Sequence, residues 1–259
     1  MAWKNAKKDV RRAALEKLTP GVENHGDILE FGAFASPTFE PGEGSVFYAD
    51  RLSTEELKTS VKDADKRDAI VDVNFIVAPD FSTPIGRKFD LVIANHVVEH
   101  VPDLLGWLNN VGKILNDGGK VFLTVPHKGY TFDILRQPTL ARELIDNYEV
   151  KRQQPSLSSI VDAAFFRRDI KFGSDVWSGK AESIIAKAPS LNAADYAANV
   201  RKRLAAGDYI DAHCNVFTEE SFIEVFGYLE AMHFGDLKLL ATAPVIRPYN
   251  EFYALFGKL

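Results

Sequence analysis

The sequence predicts an α/β fold: a Rossmann-like, mostly parallel, doubly wound sheet with a late antiparallel strand and a helical cap insertion. Three observations predict it. Between 26 and 125 the apolar runs are short, β-rich and separated by helical or loop segments, the rhythm of parallel strands joined by crossovers. Leu104, Leu108, Val111 and Leu115 then fall at helical spacing, with Trp107 and Ile114 beside them, so the fourth crossover is an amphipathic helix. Two late runs, 237–241 and 251–257, flank Arg247-Pro248-Tyr249-Asn250 and read as a hairpin-like pair.

In chain order, residues 2 to 18 form a short helix with Trp3, Val10, Ala14 and Leu18 near one face, stopped by Thr19-Pro20-Gly21. It is expected to be a lid or a homo-oligomer contact. Strands follow at 27–31, 45–49, 69–73, 89–94 and 120–125. Pro102 suits the first position of the crossover helix, and Asn116-Asp117-Gly118-Gly119 its glycine stop. Helical stretches at 140–148, 159–168 and 193–204 break the alternation, and a helix over 219–232 precedes the late pair. The expected organisation is therefore 1–25 as helix and lead-in, 26–134 as a cofactor-binding core, 135–212 as a cap for substrate, and 213–259 as completion of the core.

Bulk composition narrows the function. At 259 residues the chain buries a sizeable core without staples, and its single cysteine, Cys214, rules out an intramolecular disulfide and a thiolate zinc site. A net charge of -5 argues against a nucleic-acid partner. No run is long and apolar enough for a membrane span, and the basic N-terminus lacks a signal-peptide core, so a cytoplasmic protein is expected.

In a doubly wound sheet ligands lie beyond the carboxyl ends of the strands. The first strand ends in Glu30-Phe31-Gly32-Ala33-Phe34-Ala35-Ser36-Pro37. A dinucleotide fold wants Gly-x-Gly-x-x-Gly there, but Phe34 and Pro37 stand where the second and third glycines belong, and a carboxylate repels a pyrophosphate. A carboxylate instead suits a ligand that carries an ammonium group and no phosphate. Asp50, at the end of the second strand, can accept both hydroxyls of a ribose, or else cap the helix that follows. Asp72 can accept from an adenine amino group, or be an ordinary strand-edge carboxylate.

The most specific stretch is Asn95-His96-Val97-Val98-Glu99-His100-Val101-Pro102, followed by Val125-Pro126-His127-Lys128 and Tyr130-Thr131-Phe132-Asp133-Ile134-Leu135-Arg136. With Glu30-Phe31-Gly32 and Asp50 it resembles the class I S-adenosylmethionine-dependent methyltransferases. More closely, it is similar to a bacterial group with an Asn/Ser-His-Val-Val/Ile-Glu-His-Val-Pro-Asp motif, over most of 26–150 and again at 211–218. The resemblance implies S-adenosylmethionine as cofactor, held by Glu30, Gly32, Asp50, Asp72 and Asn95, with Ala33, Arg51 and His96 beside them. Members of that group often occur with sugar and cell-surface polysaccharide functions, so the implied partner is a small-molecule or carbohydrate acceptor.

For O-methylation of a sugar-containing or polyhydroxylated acceptor, His127 after the fifth strand is the first candidate base, because imidazole titrates near neutral pH; His213 and His96 are rivals. Tyr130, Asp133 and Arg136 are expected to line the acceptor pocket, although an Asp-Arg pair holding the cap is an equal reading. Glu99 and His100 either join the site or anchor the crossover helix. The cap residues Phe165, Phe166, Arg167, Arg168, Lys171 and Trp177 suit a sugar ring and its anionic groups, or an ordinary packed helix. No metal is expected. The competing functions are a non-catalytic binding protein of the same fold, N-methylation of a small amine, and a nicotinamide oxidoreductase.

Overall fold

The computed structural model describes residues 2–20, 24–171, 173–187 and 191–258, with the side chains of 2–5 left aside; the expected contacts of Trp3 and the stop at Gly21 lie outside the described residues. The chain begins with helix α1 (Ala2–Leu18) and strands β1 (Asp27–Phe31) and β2 (Ser45–Asp50). Two short helices, α2 (Thr54–Thr59) and α3 (Ala64–Asp68), lead to β3 (Phe75–Ile76) and β4 (Phe89–Asn95). Helix α4 (Leu104–Lys113) crosses to β5 (Leu115–Pro126). Five helices follow: α5 (Ala141–Glu149), α6 (Leu157–Phe165), α7 (Ser174–Trp177), α8 (Ala181–Ile185) and α9 (Ala193–Ala205). Helix α10 (Glu219–Ala231) and strands β6 (Leu237–Ala243) and β7 (Glu251–Lys258) complete the chain.

The strands form one seven-stranded sheet in the order β3-β2-β1-β4-β5-β7-β6. Every pairing is parallel except those of β7, which runs antiparallel between β5 and β6. Side chains alternate between the faces. Leu29, Phe31, Val92, Ala94, Val121 and Leu123 pack with Trp107 of α4, Leu144 of α5 and Phe222 of α10 on one face. Ile28, Leu91, Ile93, Phe122 and Tyr253 point to the other, where Ala14 and Leu15 of α1 cover them. Burial on both faces explains the near-continuous apolar runs of β1 and β4.

Helix α1 is thus a structural layer of the sheet and not a lid, the first of the two roles expected for it. Its Arg11, 8% exposed, donates two hydrogen bonds to the fully buried Glu251 of β7, at 2.8 and 2.9 Å. Helix α5 joins the main core, whereas α6 and α9 pack on each other around Ile160, Val200 and Ile210.

Three local expectations are corrected. The third strand lies at Phe75–Ile76 and not at 69–73, because Ile70 and Val71 bury themselves in small loop clusters with Ala35, Leu57 and Tyr48. Apolar residues satisfy burial in either setting, so periodicity does not separate them. Helix α4 starts at Leu104, where the Asp103 side chain accepts from the Gly106 backbone at 2.8 Å, and Pro102 precedes the cap. The glycine pair 118–119 follows the helix end and lies already within β5, where a Cβ on Gly119 would stand 2.9 Å from the Asn116 carbonyl oxygen.

Candidate active site

The order of strands reverses between β1 and β4, and a crevice opens beyond their carboxyl ends, as the topology requires. A cleft of about 170 Å³ lies there, lined by Phe31 and Gly32 after β1, Asp50 and Arg51 after β2, Val77 to Pro79 after β3, and His96, Val97 and His100 after β4. Val101, Trp107 and Tyr209 close its sides. A larger hollow of about 590 Å³ lies at the amino ends of β4 and β5, where this fold does not place its chemistry.

Gly32 sits at φ 60°, and a Cβ there would come within 3.2 Å of Val97, so the glycine keeps the turn out of β1 open. The Asp50 carboxylate accepts from the Leu52 backbone at 3.2 Å, and burial pushes its pKa up, the mark of a carboxylate short of donors. Arg51 lies over the ring of Tyr209, 4.5 Å from its centroid, so the segment after α9 reaches across the cleft.

Of the residues expected around a cofactor, Gly32, Asp50, Arg51 and His96 line this cleft. Glu30 and Asn95 sit beneath it. Glu30 is fully buried, accepting from the Thr38 backbone at 2.9 and 2.8 Å, from the Thr38 hydroxyl at 3.0 Å and from Asn95 Nδ2 at 2.8 Å. Burial pushes its carboxyl up to about 7 against those hydrogen bonds. Ala33 packs with Tyr48 and Val71, and Asp72 is exposed outside the sheet. The cleft wall that follows the true β3 is Val77-Ala78-Pro79, which the misplaced third strand concealed.

Beside the cleft the structure assembles a second group. The segment 211–216 returns to the turn 98–100, fastened by Asn215 Nδ2 donating to the carbonyls of Val98 and Val101, both at 2.8 Å, and by the Cys214 backbone donating to the Glu99 carbonyl at 2.6 Å. His213 therefore meets His100 edge to face, ring centroids 4.8 Å apart. His213 Nδ1 lies 2.5 Å from Asp133 Oδ2, and His100 Nδ1 lies 3.0 Å from Asp211 Oδ1. Arg136 donates to Asp133 Oδ1 at 3.0 Å and to the His213 carbonyl at 2.9 Å, a bracket that ties the two segments together. Burial alone would raise the Asp133 pKa, but His213 and Arg136 hold it below the usual carboxylate range. His96, at φ 54°, lies 2.5 Å from Glu251 and 3.5 Å from Glu99.

His127 stands apart from both groups. Its Nδ1 accepts from the Gly129 backbone at 3.1 Å, and its ring lies 4.9 Å from that of Tyr130. Tyr130 in turn stacks on Trp177 at 4.6 Å, while Arg167 covers Phe132 at 4.1 Å. Sequence reasoning left Glu99 and His100 undecided and missed Tyr209. The Glu-His pair directly after the fourth strand was the available signal; for Tyr209 there was none.

A family model described as a methyltransferase domain matches residues 4–227, most of the chain. The chain belongs to this family. Among curated proteins, none matches it in sequence. Similar solved structures include a S-adenosylmethionine-dependent methyltransferase from Clostridium acetobutylicum ATCC 824, at 11% identity over 96% of this chain and 90% of that one, TM-score 0.49. Others are the glycopeptide N-methyltransferase MtfA complexed with S-adenosylmethionine, at 14% identity over 96% and 94%, TM-score 0.46, and the CcbJ methyltransferase from Streptomyces caelestis, at 9% identity over 97% and 96%, TM-score 0.47.

The methyltransferase uses S-adenosylmethionine, and the cleft's groups fit that cofactor in kind. Asp50 would offer carboxylate oxygens to ribose hydroxyls, and the apolar wall of Val77, Pro79, Val101 and Trp107 would suit an adenine ring. At about 170 Å³ the cleft is smaller than the roughly 300 Å³ at which ligand pockets begin. Tyr209, stacked on Arg51, is one of the side chains that narrow it. Among the described residues, no helix is long and apolar enough to cross a membrane.

Proposed function

We propose that this methyltransferase O-methylates a sugar-containing or polyhydroxylated small acceptor, with the cofactor in the Asp50 cleft and the acceptor beside it at His100 and His213. One observation carries this reading: two imidazoles 4.8 Å apart, each held at Nδ1 by a carboxylate, flank a cleft that His100 itself lines. Pinned in this way, each ring is left with Nε2 to meet an acceptor hydroxyl and help it shed its proton. S-adenosylmethionine, when bound, supplies a methyl group already activated on a sulfonium sulfur. The protein's own tasks are then to align the hydroxyl and exclude water.

Within this reading His213 takes precedence over His127 as the group that handles the acceptor hydroxyl, because His213 has a carboxylate behind it and a neighbour on the cleft. Asp133 and Arg136 act as the bracket that positions His213. Phe132, its ring 4.7 Å from that of His213, forms an aromatic wall of the kind that suits a sugar face, while Tyr130 and Trp177 stack farther out beside His127.

The test has two stages. S-adenosylmethionine and S-adenosylhomocysteine are expected to raise the melting temperature, and NAD(H) to leave it unchanged. Labelled methyl is then offered with polyhydroxylated and amine acceptors in parallel. Transfer to amines alone, or a shift with NAD(H) alone, rejects the proposal.

A further inference from the structure

Glu99 is 2% exposed, and its Oε2 is buried with no hydrogen-bond partner among the described residues. A dry, unpartnered carboxylate oxygen is costly and calls for a counterpart. Its other oxygen, Oε1, lies 3.5 Å from His96 Nδ1 and 4.0 Å from His100 Nε2, the latter too long for a hydrogen bond. One ligand atom each from Glu99, His100 and His213 lie within 4.8 Å of one another. Both histidines have Nδ1 engaged by a carboxylate, Asp211 for His100 and Asp133 for His213. That outer carboxylate is the arrangement that fixes the tautomer and orientation of metal-binding imidazoles, leaving Nε2 for the ion.

We infer that Glu99, His100 and His213 form a binding site for one divalent transition-metal cation at the edge of the cofactor cleft. Binding would draw the three donor atoms in to the roughly 2.0–2.2 Å that imidazole and carboxylate ligands require of such an ion. Two imidazoles and one carboxylate select zinc, cobalt, iron or manganese over magnesium and calcium, which prefer all-oxygen shells. His100, whose side chain is 37% exposed, gives the ion a way in from the cleft. Three protein ligands leave coordination positions open, and there the ion receives the hydroxyl oxygens of the acceptor. With the cation bound, Nε2 of both imidazoles is a ligand and no longer takes the proton, so the coordinated hydroxyl, made more acidic by the ion, gives its proton to water. This role rests on the acceptor reading above, whereas the binding itself does not. The sequence pointed to no metal because Glu99-His100 and His213 meet only through the return of the segment 211–216.

The experiment uses the untagged full chain, stripped with a chelator and titrated with cobalt(II), then with zinc in competition. Expected are one equivalent bound, visible d–d absorption of a four- or five-coordinate ion, and displacement by zinc. Glu99→Gln, His100→Ala and His213→Ala, each verified as folded by circular dichroism, are expected to weaken binding at least 100-fold, to the order that loss of a ligand exceeds loss of an outer partner. Asp211→Asn, an exposed position that leaves the core untouched, is expected to cost about 10- to 100-fold. Asp50→Ala should bind cobalt as the wild type does. A wild-type chain that takes up neither cation at millimolar concentration, or an Asp211→Asn and a folded Glu99→Gln that both bind as tightly as wild type, overturns the inference. Calorimetry with S-adenosylhomocysteine on the same samples separates the two readings. Cofactor binding without cation uptake rejects this site alone, and cation uptake without cofactor binding rejects the proposed function alone.

Discussion

Asp133 stands between an imidazole and a guanidinium, with Oδ2 2.5 Å from His213 Nδ1 and Oδ1 3.0 Å from Arg136 Nη1. Asp133 and Arg136 are 2% and 7% exposed, so the carboxylate is the counterion of a guanidinium that water hardly reaches. Removing one partner of such a pair strands the other's charge. Asp133→Ala is expected to destabilise the fold by about 3–5 kcal/mol, read by urea denaturation. A loss below about 1 kcal/mol, the value of an exposed pair, would show that Arg136 finds water or another acceptor.

Glu30 predicts a pH dependence. Its folded pKa of about 7 lies above the ordinary 4.5, so it favours the fold most fully below pH 4.5. The advantage is lost as pH rises to about 7, where ionisation in the buried site costs about 3 kcal/mol relative to the protonated form. Arg11, the charged group that opposes this from α1, and Tyr48 of β2 are its other titratable neighbours. Glu30→Gln does not ionise, but sets an amide donor against the Thr38 and Asn95 donors. The variant should be less stable than wild type at pH 5 and recover most of the gap by pH 8. Denaturation curves whose separation is the same at both pH values would refute this.

Asp50→Ala should weaken cofactor binding by about 1.5–3 kcal/mol, the value of hydrogen bonds to a charged group. The fold should survive, because the carboxylate contributes only local backbone hydrogen bonds, such as that from Leu52 at 3.2 Å. Calorimetry with S-adenosylhomocysteine decides the matter, and an unchanged affinity in the folded variant removes Asp50 from the site.

Tyr209 lines the small cleft and stacks on Arg51, a contact worth about 0.5–1 kcal/mol at a partly exposed site. Tyr209→Ala is expected to speed association of S-adenosylhomocysteine in stopped-flow measurements, since the cleft no longer has to open. Equal association rates in variant and wild type would mean that Tyr209 does not gate entry.

Much of the sheet was legible because parallel strands covered on both faces must be apolar along their whole length. The runs ending at Phe31 and Asn95 are such strands, and the late pair around Arg247-Pro248 was equally clear. Asp50 was legible as a cleft-lining residue for a related reason, since the carboxyl end of a strand in this fold faces the ligand crevice wherever the rest of the chain goes. The third strand was not, because Ile70 and Val71 satisfy the same burial rule in a loop cluster.

By itself the sequence determined the fold class and the ends of the first, second and fourth strands, which follow from local pattern along the chain, and its motifs carried the resemblance to a methyltransferase family. Tertiary structure alone decided which polar groups meet. It sank Glu30 onto Thr38 and Asn95, turned α1 into a layer bonded to Glu251, and brought His213 to His100 and Glu99. The reason is that these contacts join distant stretches of chain, and their partners are chosen by strand register and by a single buried clamp, Asn215 on the carbonyls of Val98 and Val101. No periodicity records such a choice, because each side chain would look the same on the chain if its partner were elsewhere.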